Sequence, residues 1–154
     1  MRALHMKATR TGASMKLIQF WHDRQPPDWV EESSHKLSQD NPEYDYRRFH
    51  FESAQSYIQR TYGDALAQAF SGINIPALAA DIFRVGYLLS EGGIWVDMAS
   101  ECQVPLREWI PSNMSLVLLQ KPWMMNTDYA CNGFIYSKAP QNPLLQMVWG
   151  KMSA

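Results

Sequence analysis

Cysteine is scarce in this chain: of 154 residues only Cys102 and Cys131 carry a thiol. Two lone cysteines supply neither a disulfide framework nor the paired spacing of a zinc site. Free, buried thiols in a reducing compartment are the expectation. An excess of charge is lacking too, with 14 Lys and Arg against 15 Asp and Glu and a formal net charge of -1. No basic stripe is present, which excludes nucleic acid as the expected partner. No apolar run approaches the roughly 18 residues that a membrane span needs. The first residues, MRALHMKATRTGAS, have no apolar core of a secretory signal. Residues 1–14 read as a flexible tail ahead of one domain over 15–154. Internal repeats and low-complexity stretches are absent. What is present, 46% hydrophobic and 12% aromatic residues, is enough for one domain with its own core and excludes a disordered chain.

The patterned part opens with Lys16 to Trp21, KLIQFW, a short apolar run closed by His22-Asp23-Arg24-Gln25 and Pro26-Pro27. It suits a buried parallel strand whose C-terminal end opens into a loop, the end where open α/β sheets hold ligands. Trp21 and His22 are therefore placed to touch a ligand, the alternative for Trp21 being to pack the strand end. Asp28 is the expected N-cap of a helix through Ser38, with Glu31 as its capping-box partner. Tyr44 to His50 alternates as a second strand, with Tyr44, Tyr46 and Arg48 on one face. Glu52 to Tyr62 reads as a helix with Ala54, Tyr57, Ile58 and Thr61 along its stripe, stopped by Gly63. A weaker helix covers Asp64 to Phe70.

The central stretch is IPALAADIFRVGYLLSEGGIWVDMASEC, residues 75–102. Pro76 takes the first helical position, where its missing N–H costs nothing. Helical spacing puts Leu78, Ile82, Val85 and Leu89 on the expected core face. Asp81 and Arg84 lie together on another face with Ala77. In so apolar a helix those charges must be paired, hydrogen-bonded or open to a polar cleft. Gly92-Gly93 supplies a left-handed cap and a tight reversal into the strand Ile94-Trp95-Val96, which delivers Asp97. Leu106 to Ile110 follows as a short helix, Ser115 to Gln120 as a strand, and Lys121 to Tyr129 as a methionine-rich loop, either a binding lip or gap-filling packing. Cys131 to Ser137 is a strand opened by Asn132-Gly133, and Asn142-Pro143 starts a last helix.

These segments, in this order over about residues 16–150, resemble the glycosyltransferase family whose sugar-binding region contains a DXD motif, the group with initiating α-mannosyltransferases and capsular-polysaccharide transferases. KLIQFWHD with PPDW is similar to its opening strand and helix start, and NPEYDYRRFHFESA to its second strand and helix. AADIFRVGYLLSEGGIWVD is similar to its core, and CNGFIYSKAPQNPLL to its Asn-containing strand. The resemblance implies a GT-A fold, a Rossmann-like α/β domain. It also implies retaining transfer of a sugar from a UDP- or GDP-sugar donor to a glycan or lipid-linked acceptor. On that reading Trp21 lies against the base, Asp81 and Arg84 on the donor sugar, Asp97 at the ribose or metal, and Asn132 at the sugar or acceptor side. The metal would be Mn2+ or Mg2+, cations that want hard oxygen ligands. A cytoplasmic protein, peripheral to a membrane, is the implied setting for polysaccharide biosynthesis.

Two departures matter. The second aspartate of the motif falls at Ala99, which cannot bind a metal, so Glu101 or Ser100 is left as the substitute oxygen ligand beside Asp97. Members also continue beyond the point where this sequence stops, so the expectation is a C-terminally truncated domain. The alternatives are a non-catalytic remnant that at most binds a nucleotide-sugar, and an α/β domain whose aspartates and arginine pair only internally.

Overall fold

A computed structural model describes residues 14–120 and 130–153. Eleven elements are formed by them: β1 (Lys16–Phe20), α1 (Asp28–Asp40), β2 (Asp45–Phe49), α2 (Phe51–Tyr62), α3 (Asp64–Ser71), α4 (Pro76–Glu91), β3 (Gly93–Val96), α5 (Leu106–Trp109), β4 (Leu116–Gln120), β5 (Ala130–Ser137) and α6 (Pro143–Met152). The strands make one sheet in the order β2-β1-β3-β5-β4. β1 is parallel to β2 and β3, whereas β5 runs antiparallel to β3 and β4. The fold is the expected α/β class with a parallel half, covered by helices on both faces.

Strand periodicity divides the core. Leu17, Ile94, Val96, Phe134 and Tyr136 point to one face with Leu37 of α1 and Leu106 of α5. Their sequence neighbours Ile18, Trp95 and Ile135 point to the other, beneath α2, α3, α4 and α6. On this second face Phe49, Tyr57, Phe83 and Tyr87 form an aromatic cluster with ring centroids 4.8 to 6.0 Å apart. Such contacts add about 0.5 to 1.5 kcal/mol per pair beyond burial.

The core stripe of α4 differs from the expected one. Leu78 is 44% exposed, and the residues facing the sheet are Ala79, Phe83 and Tyr87, with Val85 and Leu89 buried as expected. The cause is packing on two sides. Gly86 faces α6 so closely that a Cβ there would lie 2.9 Å from the Trp149 ring, so the second half of α4 is enclosed while its first turn projects past the sheet.

Other boundaries shift for local reasons. Pro27, not Asp28, is the N-cap of α1, without a side-chain cap bond, because Glu31 turns to Arg48 of β2 and accepts two bonds from it, at 2.7 and 2.9 Å. Thr61 is exposed, and Tyr62 packs in its place, with its hydroxyl donating to the Gly86 carbonyl at 2.6 Å. Both cysteines are free, and both are half-buried instead of buried. Gly92 and Gly93 hold φ of 68° and 114°, the left-handed reversal read from the sequence. Residues 1–13 of the expected tail and the loop 121–129 lie outside the described residues. Among the described residues no helix is long and apolar enough to cross a membrane.

Candidate functional site

β1 and β3 are parallel neighbours in the register Ile18↔Trp95, so the loop after β1 and Asp97 after β3 share one edge of the sheet. α4 leads through Gly92 into the start of β3, so it runs back along the sheet and brings its first turns to that same edge. There the structure brings together four of the expected residues: Asp81, Arg84, Asp97 and Asn132.

Arg84 is the hub. Its side chain is only 6% exposed, while those of Asp81 and Asp97 are 38% and 36% exposed. Arg84 Nη2 lies 2.8 Å from Asp81 Oδ1 and Nη1 lies 3.1 Å from Asp97 Oδ1. Nη1 also donates to the Asn132 carbonyl, and Nε donates to the Ala80 carbonyl at 3.3 Å. The guanidinium sits over the Trp95 ring, 5.0 Å from its centroid, an arrangement that adds cation–π attraction. A buried cation is thus offset by two half-exposed carboxylates.

Strand geometry explains how Asp97 reaches Arg84. Residues two apart share a face, so Asp97 follows Trp95 toward α4, and the Trp95 indole Nε1 donates to Asp97 Oδ1 at 2.7 Å. Trp95 is therefore a site residue that the sequence reading passed over. The period of the Gly-Gly-x-Trp-x-Asp run was the available signal.

The second missed feature is a break in β5. Leu118 of β4 pairs with Ile135, but the adjacent Leu119 pairs with Cys131, so Asn132, Gly133 and Phe134 bulge out of the β4 ladder. Bulges re-aim side chains. Here Asn132 Nδ2 donates to Asp81 Oδ1 at 2.9 Å, and the Gly133 carbonyl accepts from the Asp97 N–H at 2.8 Å. A Cβ at Gly133 would stand 3.2 Å from Asp97 Oδ2, so glycine leaves room beside that oxygen.

Trp21 lies at the same edge but apart from the charge cluster. Its ring meets Trp29 edge-on at 5.3 Å and lies 4.9 Å from the His22 ring. Its Nε1 is buried with no partner among the described residues. His22 in turn lines a cleft of about 280 Å³ with Phe51, Ser71, Ile73, Asn74 and Pro76. Glu101 sits elsewhere, on the wall of a cavity of about 400 Å³ between α1 and residues 98–102, together with Ala99, Ser100 and Lys36. Asp40 first, and Glu101 among weaker causes, raises the Lys36 ammonium above its ordinary pKa.

The donor set tests the implied metal. Asp97 has one carboxylate oxygen, Oδ2, that no described residue engages, and Ala99 has none to give. No group of three or more His, Cys, Asp or Glu gathers among the described residues. The residues fit a cation held by one protein carboxylate plus phosphate and water oxygens, a common arrangement for Mg2+. They do not fit a cation held by two carboxylates of the motif.

Comparison with known proteins bears on the family and the fold. An initiation-specific alpha-1,6-mannosyltransferase of Schizosaccharomyces pombe is 29% identical over 75 residues, 46% of this chain and 19% of that protein. The chain thus spans about a fifth of that relative's length. The solved structure of the PaToxG glycosyltransferase superposes with a TM-score of 0.66 at 16% identity, over 92% of this chain and 60% of that one, and supports the GT-A fold. The sequence model of the glycosyltransferase sugar-binding region containing DXD motif matches residues 12–116, more than half of the chain. The chain belongs to that glycosyltransferase family.

Proposed function

We propose that this chain binds a nucleoside-diphosphate-sugar at the edge formed by β1, β3 and the start of α4, and transfers its sugar with retention to a glycan or lipid-linked acceptor. The observation that carries the reading is Asp97: Trp95 and Arg84 meet its Oδ1, its Oδ2 lies beside Gly133, its side chain is 36% exposed, and Asp81 lies next to it on Arg84. Those two carboxylates suit the hydroxyls of a ribose and a sugar. The cleft at His22, Asn74 and Pro76, with Trp21 one ring behind it, has the aromatic and polar lining that a nucleobase requires.

The departing group is a nucleoside diphosphate, and a bound Mn2+ or Mg2+ would neutralise its charge as a Lewis acid. Asp97 Oδ2 is the protein oxygen best suited to hold it. Ser100 and Glu101, which line the cavity beside α1, are the other side-chain oxygens this reading offers as ligands. The chain's own contribution is to position the donor and hold fixed dipoles around it. A cytoplasmic location at a membrane surface, supplying a polysaccharide or another glycan, accompanies this reading.

Ala99 favours a second reading, a module that binds the nucleotide-sugar without turning it over. Thermal melting and donor hydrolysis with UDP-glucose, UDP-galactose and GDP-mannose, with and without Mn2+, separate the two. GDP-mannose is included because the yeast relative is named for mannosyl transfer. A raised Tm with turnover supports the transferase, and a raised Tm without turnover supports the module. If no donor moves the Tm, the donor site is wrongly assigned. Turnover gained by Ala99→Asp would identify the missing carboxylate as the limiting group.

A further inference from the structure

The cavity of about 400 Å³ between α1 and residues 98–102 takes no part in the charge cluster around Arg84. Side chains alternate along a strand, so Trp95 and Asp97 point toward α4 while Val96 and Met98 point toward α1. The cavity thus lies on the opposite face of the sheet. Its long wall is one face of α1, where Trp29, Glu32, Lys36 and Asp40 recur every three or four residues. From the first of these to the last the helix rises about 16 Å. Leu37 and Met98 are buried beneath them. The Ser33 hydroxyl donates to the Met98 carbonyl at 3.3 Å and ties the two walls together. Trp29, in the first turn of α1, is 49% exposed, and its ring meets Trp21 edge-on. Lys36 is committed to Asp40 at 2.6 Å, whereas Glu32 and Glu101 form no hydrogen bond or ion pair with any described residue. With three carboxylates, Glu32, Asp40 and Glu101, against one ammonium, the lining carries a formal charge of -2.

Resting on the donor-site reading above, we infer that this cavity seats the acceptor, a neutral oligosaccharide laid along α1 with one sugar ring stacked on Trp29 and hydroxyls bonded to Glu32. The lining matches both sides of such a ligand. A pyranose has an apolar C–H face, which an exposed indole covers, and a rim of hydroxyls, which donate charge-assisted bonds to an uncommitted carboxylate. Acidic glycans and pyrophosphate head groups meet like charge there, and the one ammonium is already paired. Position favours the acceptor over an unrelated saccharide. Ala99 in the cavity wall follows Asp97 by two residues, and Trp29 touches Trp21, so the end of the cavity at Trp29 adjoins the donor edge. From there the cavity runs along α1 for the length of a short chain of sugars, on the face of the sheet that the donor leaves free.

The test is proton–nitrogen NMR of the full chain, with the Trp29 indole signal identified by its loss in Trp29→Phe. Mannotriose, maltotriose and chitotriose are the neutral probes, and trigalacturonate is the anionic one. The expected result is a saturable shift of the Trp29 signal by at least one neutral trisaccharide and none by trigalacturonate. Saturating UDP or GDP should change the affinity for that trisaccharide by less than about twofold, because the two ligands occupy different faces of the sheet. Glu32→Gln keeps the shape and removes the charge, and should weaken the trisaccharide about fivefold while leaving the affinity for the diphosphate unchanged. If no neutral trisaccharide moves the Trp29 signal, or trigalacturonate moves it equally, the inference is overturned, and a diphosphate that still binds leaves the donor site standing. Competition between trisaccharide and diphosphate overturns the separate subsite. Saturation transfer to the trisaccharide, with and without the diphosphate, reads that competition on the natural chain and so holds even if a variant fails to fold. An unchanged affinity in Glu32→Gln overturns the role of Glu32. A trisaccharide that binds where neither UDP nor GDP does overturns the donor-site reading, and the acceptor role falls with it.

Discussion

Arg84 concentrates the energetics of the site in one side chain. It is buried under two acids, so its removal leaves carboxylates facing each other without the cation that offsets them. Arg84→Met keeps most of the stem volume and deletes the charge. The expected cost is roughly 3 kcal/mol, the scale of a broken buried ion pair, read as a lower urea midpoint at unchanged slope. Donor binding should fall with it, because Asp81 and Asp97 lose their shared anchor. The sequence made it legible that Asp81 and Arg84 share a face, since residues three apart meet on a helix, and left open whether they pair. It did not reveal that Asp97 and Asn132 join the same guanidinium, because those contacts span the sheet and are set by where β3 and β5 end.

At the scale of elements, the turn from α4 into β3 is the most constrained connection. Gly93 holds φ of 114°, and a Cβ there would lie 2.8 Å from the Lys16 carbonyl oxygen of β1. Gly93→Ala therefore meets backbone strain and a backbone clash together. A loss of about 3 kcal/mol or more is expected, visible as a drop in Tm with donor present or absent. The joined start of β1 and β2 carries a different signature. Lys16 first, and then Arg47, hold the Asp45 carboxyl below its ordinary pKa. A depressed folded-state pKa contributes stability that is present above the unfolded value and lost as pH falls through the folded one. Melting temperature should thus decline below about pH 4, and Asp45→Asn should flatten that decline in a pH series of thermal melts. Element existence was legible from periodicity, including the reversal at Gly92-Gly93. The face of α4 was not, because the stripe 78, 82, 85, 89 satisfies helical spacing as well as 79, 83, 87 does. Only contact with the sheet on one side and Trp149 on the other chooses between them.

For the whole molecule, the aromatic cluster beneath α2 and α4 sets the alkaline limit. Burial pushes the Tyr57 phenol up to about 12 and raises Tyr87 further, with the negative charge of Glu91 adding to both. These groups ionise more easily unfolded than folded, so their stabilisation is intact below pH 10 and is lost as pH rises past it. The chain should lose stability steeply above about pH 10. Tyr87→Phe should reduce that loss, as measured by near-ultraviolet circular dichroism against pH.

The sequence by itself determined the α/β order, the strand that ends at Asp97, the placing of two charges on one face of α4 and the absence of a carboxylate at position 99. Each is a local matter of periodicity, turn chemistry or residue identity. The tertiary structure decided that Arg84 is enclosed, that Trp95 holds Asp97, and that a bulge in β5 carries Asn132 onto Asp81. These follow from strand register and from which face of each helix meets the sheet, and both are fixed by contacts between residues far apart in the sequence, such as Ile18 with Trp95 and Asp81 with Asn132.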